Sequence, residues 1–387
     1  MKKVLHLERK FCSKTETFIV NQISYVKNYD IEVLTLKNLK NFDIKANVQN
    51  IAEYDKISGL GKFITLKTKK RILNYFYNKK FELIHCHYIT DALVFSSITK
   101  KIDLPKIISC YGYDVNELPY SFFGIPKIFY KKIYEEYDYF LAMSEVMKEQ
   151  LIKIGCPENK IIIYYHGIDT ERFLNNSRIY NKDKSNISIS LLTVASLEKI
   201  KGHYYIIKAL EIIRNKYNFS NFKYYIVGDG PELSKLKKLT KELNLTENIN
   251  FVGYIKHFSK ELVNFYEKAD IFIHPSITLK NTVQEGIPGT IVEAMSNGLP
   301  VISTIHGGIP TIIKNQEDGI LVKERDAEEL AEKIMELISN AELRERLGKN
   351  AQKKAVNELD IKIKTKELEK IYDKAIKNYK LKSNYEL

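Results

Sequence analysis

Short apolar runs recur along the whole chain, most of them followed by a stretch with helical spacing, and this alternation limits the fold more than any other feature. The runs are Val4–Leu7, Ile31–Leu36, Leu83–His87, Lys106–Ser109, Tyr139–Ala142 and Ile161–Tyr164, and then Ile189–Val194, Phe222–Val227, Ile249–Val252, Ile271–Ile273, Pro300–Ser303 and Gly319–Val322. Runs this short and this apolar suit parallel strands buried on both faces and joined by crossover helices. Helical spacing fills the intervals at Phe18–Val26, His203–Tyr217, Leu233–Leu243, 259–268 and Thr290–Asn297, and residues 325–380 read as helices throughout. The series pauses at 175–186, a polar, non-periodic stretch that reads as a linker, and then restarts. With 387 residues, too many for one compact core, the pattern predicts two doubly wound α/β domains, residues 1–180 and 185–358, followed by helices at 359–387.

No apolar run approaches the roughly 18 residues that span a bilayer. The apolar run in the opening ten residues is too short for a secretory signal. Cys12, Cys86, Cys110 and Cys156 lie far apart, without a C-x-x-C pair, so a reducing cytoplasm is the expected setting. The net charge of +13 is uneven: residues 1–184 hold 30 Lys+Arg against 21 Asp+Glu, and 185–387 hold 31 against 27. Roughly half of the excess reflects a composition rich in Lys, Ile, Asn and Tyr and lacking Trp. The charge is not gathered around an aromatic groove and no nucleic-acid motif is present, so nucleic acid is not an expected partner.

The densest chemical signal is Glu285-Gly286-Ile287-Pro288-Gly289-Thr290-Ile291-Val292-Glu293, which runs on to Ile302. One carboxylate sits in a Gly/Pro loop and the other, eight positions on, in a helix. A loop that ends at a helix start offers the amides of Ile287, Gly289 and Thr290 to a phosphate, with the positive end of the helix dipole behind them. The carboxylates suit sugar hydroxyls. Against this stands a structural alternative, because Thr290 and Glu293 have the spacing of a capping box.

This segment resembles the Glu-x7-Glu signature of family 4 retaining glycosyltransferases. Val227-Gly228-Asp229-Gly230-Pro231-Glu232, Asn250-Phe251-Val252-Gly253-Tyr254, His274-Pro275-Ser276, Gly307-Gly308-Ile309-Pro310 and Asp318-Gly319-Ile320-Leu321-Val322 follow in the family's order. In the first half, Thr15-Glu16-Thr17-Phe18, Tyr111-Gly112-Tyr113-Asp114, Met143-Ser144-Glu145 and His166-Gly167-Ile168-Asp169 resemble segments of polysaccharide-building members. The resemblance implies the GT-B fold, two facing Rossmann-like domains with a cleft between them, the final helices crossing back to the first domain. It implies retaining transfer of a hexosyl unit from a UDP- or GDP-linked sugar to a glycan or lipid-linked acceptor. Neither metal nor other cofactor is expected; the leaving diphosphate takes the acceptor's proton, so no protein base is required.

Residue roles follow from the same resemblance. Glu285 would contact the transferred sugar and Glu293 the ribose. Lys201 would pair with the diphosphate as its charge grows; a solvated lysine at a helix start is the plainer alternative. Ser196, Gly228, Tyr254, Ile287, Gly289 and Thr290 complete the donor side. Thr17, His87, Tyr111, Asp114 and His166 form the acceptor side. The chain departs from the family's usual pattern at three places: Ser196 stands for an Arg, so that either one cation is missing or Lys199 substitutes for it; Tyr111 stands for a His; and Ser13-Lys14-Thr15 replaces a Gly-Gly pair. A tyrosine, with its reference pKa of about 10, is a poor base at neutral pH.

Four further readings stay open. His85 and His87 alternate onto one strand face, a feasible ligand pair without an evident third member, and His166 is equally a structural histidine. The segments Lys62–Lys80 and Tyr120–Tyr134 mix basic and aromatic residues; they are either solvated helix faces or a surface for an anionic bilayer. The departures at Ser196 and Tyr111 leave room for a catalytically silent scaffold that binds a glycan or protein partner. A phosphorylase of the same fold would need a free phosphate site.

Overall fold

Val4, Leu5 and Leu7 lie in a strand with both faces covered, and all three are buried. The strand is β1 (Lys2–Phe11), an inner strand of a parallel sheet with β2 (Tyr29–Asn38), β3 (Asn47–Asn50), β4 (Phe81–His87), β5 (Lys106–Ser109), β6 (Tyr139–Ala142) and β7 (Ile161–Ile163), in the order β3-β2-β1-β4-β5-β6-β7. Helices α1 (Thr17–Tyr25), α2 (Leu66–Tyr77), α3 (Ile89–Thr99), α4 (Ile125–Glu136) and α5 (Glu145–Lys153) connect its strands. The computed structural model describes the chain apart from residues 13–15, 42–45, 51–65, 121–124, 181–187, 258, 280–283, 285 and 386–387, and apart from the side chains of 125, 126 and 383–385.

The second sheet repeats the logic. β8 (Ile189–Val194), α6 (His203–Lys216), β9 (Phe222–Val227), α7 (Leu233–Glu242), β10 (Ile249–Gly253), α8 (Lys260–Lys268), β11 (Ile271–His274), α9 (Gly289–Ser296), β12 (Val301–Thr304), α10 (Ile309–Ile312) and β13 (Ile320–Val322) give the order β10-β9-β8-β11-β12-β13. α11 (Ala327–Ser339), α12 (Ala341–Lys354) and α13 (Ile361–Tyr385) follow. Each sheet has its own apolar core. Val4, Ile31, Val33, Leu83 and Ile107 pack with Leu368 and Tyr372 of α13 in the first. Leu191, Ile206, Leu210, Ile226, Ile271 and Ile334 form part of the second.

The chain divides into two compact units, Met1–Gly167 with Ile361–Leu387, and Ile168–Asp360. Residues 168–180, counted with the first domain on sequence grounds, thus lie in the second unit, and the stretch from 175 is not a loose linker at its start. Ser296 Oγ donates to Thr170 O at 2.7 Å and Asn297 Nδ2 to Phe173 O at 2.8 Å, and Arg178 adds to these. Its guanidinium donates to the carbonyls of Asn297, Ala269 and Tyr266 at 2.8, 2.8 and 2.6 Å, while Tyr180 donates to Gly298 O at 2.6 Å. One arginine, with five fixed donors, finds a ring of carbonyls that a polar sequence does not announce. Residues 181–186 of the expected linker lie outside the described residues.

Candidate functional site

In an open parallel sheet, ligands gather at the carboxyl ends of the strands where the winding reverses. The second sheet reverses between β8 and β11, and most of the residues expected on the donor side lie on the loops that leave these strands and their neighbours. Gly228 follows β9 with φ +145, and a Cβ there would lie 1.9 Å from Ala195 O. Gly202 has φ +70, and its Cβ would lie 1.9 Å from Pro275 O. Both positions need glycine, because the loops after β8, β9 and β11 run in backbone contact. Between them Ser196 and Lys199 are exposed and Lys201 is half-buried. Ser196 O is within 3.0 Å of His203 Nε2. Tyr254, just past β10, is 68% exposed.

α9 carries the most constrained carboxylate. Glu293 is buried, with Oε1 at 2.8 Å from His257 Nε2 and Oε2 accepting from the Tyr266 hydroxyl at 2.7 Å. The capping-box alternative does not form: Pro288 is the N-cap residue, Thr290 is already inside the helix, and the Glu293 side chain turns to His257 and Tyr266. Gly289 and Thr290 open the helix ahead of the bond from Ile291 N to Pro288 O, so their amides belong to the first turn, where helices leave donors free. Ile287 is buried against Gly308, whose amide donates to Gly286 O at 3.2 Å. Glu285 lies outside the described residues.

The sequence missed His257 and Tyr266, 36 and 27 positions before Glu293. It also missed a cluster beside Ile277. There Glu324 accepts from Thr278 N at 2.7 Å and Thr278 Oγ1 at 2.8 Å, and lies 2.7 Å from His306 Nδ1. Burial alone would raise the Glu324 pKa, but the bonds from Thr278 and His306 prevail and hold it below the usual range.

The first sheet reverses between β1 and β4, and the residues expected on the acceptor side cluster at that end. Asp114 is buried and braces the loop after β5, with Oδ2 accepting from Ile89 N at 3.0 Å and Oδ1 from Tyr111 N and Gly112 N at 3.2 Å. Burial raises its pKa, opposed by these amides. Thr17 is the first residue of α1. Phe18 beside it places its ring 4.7 Å from those of Tyr111 and His166. Ser13, Lys14 and Thr15 lie outside the described residues.

His85 and His87 do share a face, and β1 supplies a third imidazole, His6, paired in register with His85. One nitrogen from each of the three falls within 4.8 Å of the others. All six ring nitrogens are nonetheless engaged. His87 Nδ1 lies 2.7 Å from the Tyr111 hydroxyl, His87 Nε2 2.8 Å from His6 Nδ1, and His6 Nε2 3.2 Å from the Tyr372 hydroxyl. His85 Nδ1 lies 2.8 Å from the same Tyr372 hydroxyl and His85 Nε2 2.8 Å from Ser109 Oγ. Ser109 also bonds Tyr111. The result is a closed circuit, Ser109–Tyr111–His87–His6–Tyr372–His85, in which each neutral group donates once and accepts once. A cation would have to displace bonds already made. Burial drives His6 down to about 3, and burial first, then the neighbouring imidazoles, takes His85 and His87 well below the usual histidine range. Tyr111 is pushed up by burial.

Comparisons with known proteins bear on the chain as a whole. Residues 176–354 match the model described as glycosyl transferases group 1, and residues 26–172 match glycosyltransferase family 4. The chain belongs to glycosyltransferase family 4. The amylovoran biosynthesis glycosyltransferase AmsK of Erwinia amylovora is 33% identical over 208 residues, 54% of this chain and 49% of that protein. The chain spans about half the length of the first curated relatives it matches. A glycosyltransferase from Rickettsia africae superposes with a TM-score of 0.79 at 21% identity, covering 97% of this chain and 99% of the other. Anabaena Alr3699/HepE, solved in complex with UDP, gives 0.78 at 17%, covering 97% and 100%. At such identities the likeness establishes the fold, which is GT-B.

Proposed function

We propose that this family 4 chain is a retaining, metal-independent hexosyltransferase. It would move a sugar from a UDP- or GDP-linked donor to a glycan or lipid-linked acceptor during surface polysaccharide synthesis. The observation that carries the reading is Glu293, a buried carboxylate fixed by His257 and Tyr266 on the helix that begins at Gly289 and Thr290. A carboxylate held this way keeps lone pairs for ribose hydroxyls, and the first-turn amides suit a diphosphate. AmsK, named for amylovoran biosynthesis, and HepE, solved with UDP, support the same reading.

In the proposed mechanism Glu285 positions the transferred sugar, and Lys201 offsets charge on the leaving diphosphate, with Lys199 in the place of the missing arginine. The departing oxygen takes the acceptor's proton. Tyr111 then needs no basicity, which fits a phenol whose proton is committed to the circuit. The first unit binds acceptor through Thr17, Tyr111, His166 and the loop that Asp114 braces, and His87 acts there by orienting Tyr111. The protein works in the cytoplasm, docked on the inner face of the membrane by α4. That helix exposes Ile128 and Phe129 beside Lys131 and Lys132. No helix among the described residues is long and apolar enough to cross a membrane.

The exposed Ser196 at the family's arginine position favours a second reading, a silent scaffold, which measurable donor hydrolysis would exclude. The first experiment is a thermal-shift screen with UDP, GDP, ADP and CMP, run on the wild type and on Glu293→Gln. Stabilisation by UDP or GDP, with affinity weakened about tenfold in the variant, is expected for the loss of one charge-assisted bond. No shift with any nucleotide in folded protein would sink the donor reading.

A further inference from the structure

The circuit leaves two buried polar atoms beside it unused. One is Glu8 Oε1. Glu8 is 2% exposed, and Oε1 has no hydrogen-bond partner among the described residues. His87 Nε2, 3.9 Å away, is already bonded to His6. The other is His166 Nδ1, buried and likewise without a hydrogen-bond partner among the described residues, on the loop after β7. Leaving a buried polar atom unsatisfied costs about 1–3 kcal/mol, and in a native protein such an atom calls for a ligand or a water.

Their position says which. Glu8 lies one rung past the Leu7–Cys86 pair, at the carboxyl end of the sheet where the winding reverses. His166 comes to within 6.3 Å of Tyr111, ring to ring. Burial, reinforced by the carboxylates of Asp91 and Glu16, raises the Glu8 pKa well above the usual range and keeps the acid protonated. Arg9 does not neutralise it, because its guanidinium is bonded to Asp91 at 2.5 Å. His166 is neutral too, with burial taking it down to about 3. A protonated carboxyl and a neutral imidazole offer both donors and acceptors without net charge. That complement matches a hydroxyl better than a phosphate or a cation.

We propose that Glu8, together with His166, is a hydroxyl-binding pair that holds the acceptor sugar beside Tyr111. The inference rests on the transferase reading above and adds to it a residue, Glu8, that no sequence motif marks.

The test uses methyl α-glucoside, methyl α-galactoside and methyl α-mannoside as probes on the full chain, with wild type, Glu8→Gln and Glu8→Leu. Infrared difference spectra of the wild type should show a protonated-carboxyl carbonyl band that is absent in Glu8→Gln and moves when a hexoside is added. Saturation-transfer NMR should show hexoside binding kept in Glu8→Gln, whose amide still donates and accepts, and weakened about tenfold in Glu8→Leu. Stabilisation by UDP or GDP should be the same in all three proteins, which also shows that each is folded. A band that no hexoside moves, or a Glu8→Leu protein that binds hexosides like the wild type, overturns the proposal. If hexosides move the band while no nucleotide stabilises the protein, the donor reading fails and the Glu8 site stands. The reverse result removes Glu8 from the acceptor site and leaves the transferase reading intact.

Discussion

At the scale of single residues, Glu8 and Glu293 show how burial sorts two carboxyls by their partners. Glu293 has two short hydrogen bonds; Glu8 Oε1 has none, and its folded-state pKa is raised by burial and by Asp91 and Glu16. The sign follows from proton binding. Between the usual carboxyl value of 4.5 and the raised one, the folded state holds a proton that the unfolded state has released, so stability falls as pH rises through that interval. Glu8→Gln cannot ionise and escapes this loss. The variant is therefore expected to match the wild type near pH 4 and to be the more stable of the two at pH 7. Urea unfolding of both proteins at the two pH values reads this directly, and a gap between variant and wild type that does not open from pH 4 to pH 7 would contradict it. Glu293 was legible as a carboxylate on a helix. Its partners were not, because His257 and Tyr266 come from the segment around α8, and only the fold brings them to α9.

At the scale of elements, the apolar strands and the periodic helices were readable, since buried parallel strands are apolar on both faces. β3 was not readable: Asn47-Val48-Gln49-Asn50 is an edge strand, paired on one side to β2, with no apolar signal. α9 was placed within one residue of its observed ends, although the cap falls at Pro288 and not at Thr290. Of the two basic-aromatic segments, α2 buries Thr68, Ile72 and Phe76, and leaves Leu66 and Tyr77 exposed. Residues 62–65, Phe122 and Phe123 lie outside the described residues. On α4, Ile128 is 70% and Phe129 52% exposed, beside Lys131 and Lys132. Apolar side chains flanked by lysines suit an anionic bilayer, with each basic residue worth about 1 kcal/mol near the surface. Co-sedimentation with phosphatidylglycerol vesicles at low salt should drop at least fivefold in Ile128→Ser/Phe129→Ser. Equal binding by wild type and variant would assign α4 to solvent.

At the scale of the molecule, the first unit carries four imidazoles held neutral: His6 and His166 at about 3, and His85 and His87 well below the usual 6.5, all by burial first. A depressed histidine binds its proton only after unfolding. The unfolded state therefore takes up more protons below pH 6.5, and stability is lost as pH falls from there toward 3. Glu324, held low by Thr278 and His306, loses its contribution in the same direction. The melting temperature is accordingly expected to fall from pH 6.5 to 4.5, where four imidazoles and Glu324 outweigh the opposite slope from Glu8, with a shallower fall in His166→Phe. Calorimetry across that range checks both, and an unchanged slope in the variant would show that His166 is not held neutral. By itself the sequence determined the two doubly wound sheets, the family and the donor-side signature, because strand periodicity, loop glycines and local spacing are properties of contiguous residues. Only the tertiary structure decided that Arg178 bonds the carbonyls of Tyr266, Ala269 and Asn297 and that His6 joins His85 and His87. It also decided that Tyr372, from the last helix, closes a circuit through Tyr111, and that Glu8 is left as an uncommitted acid beside it. Each of these depends on which strands become neighbours, and strand adjacency is set by the packing of the whole chain.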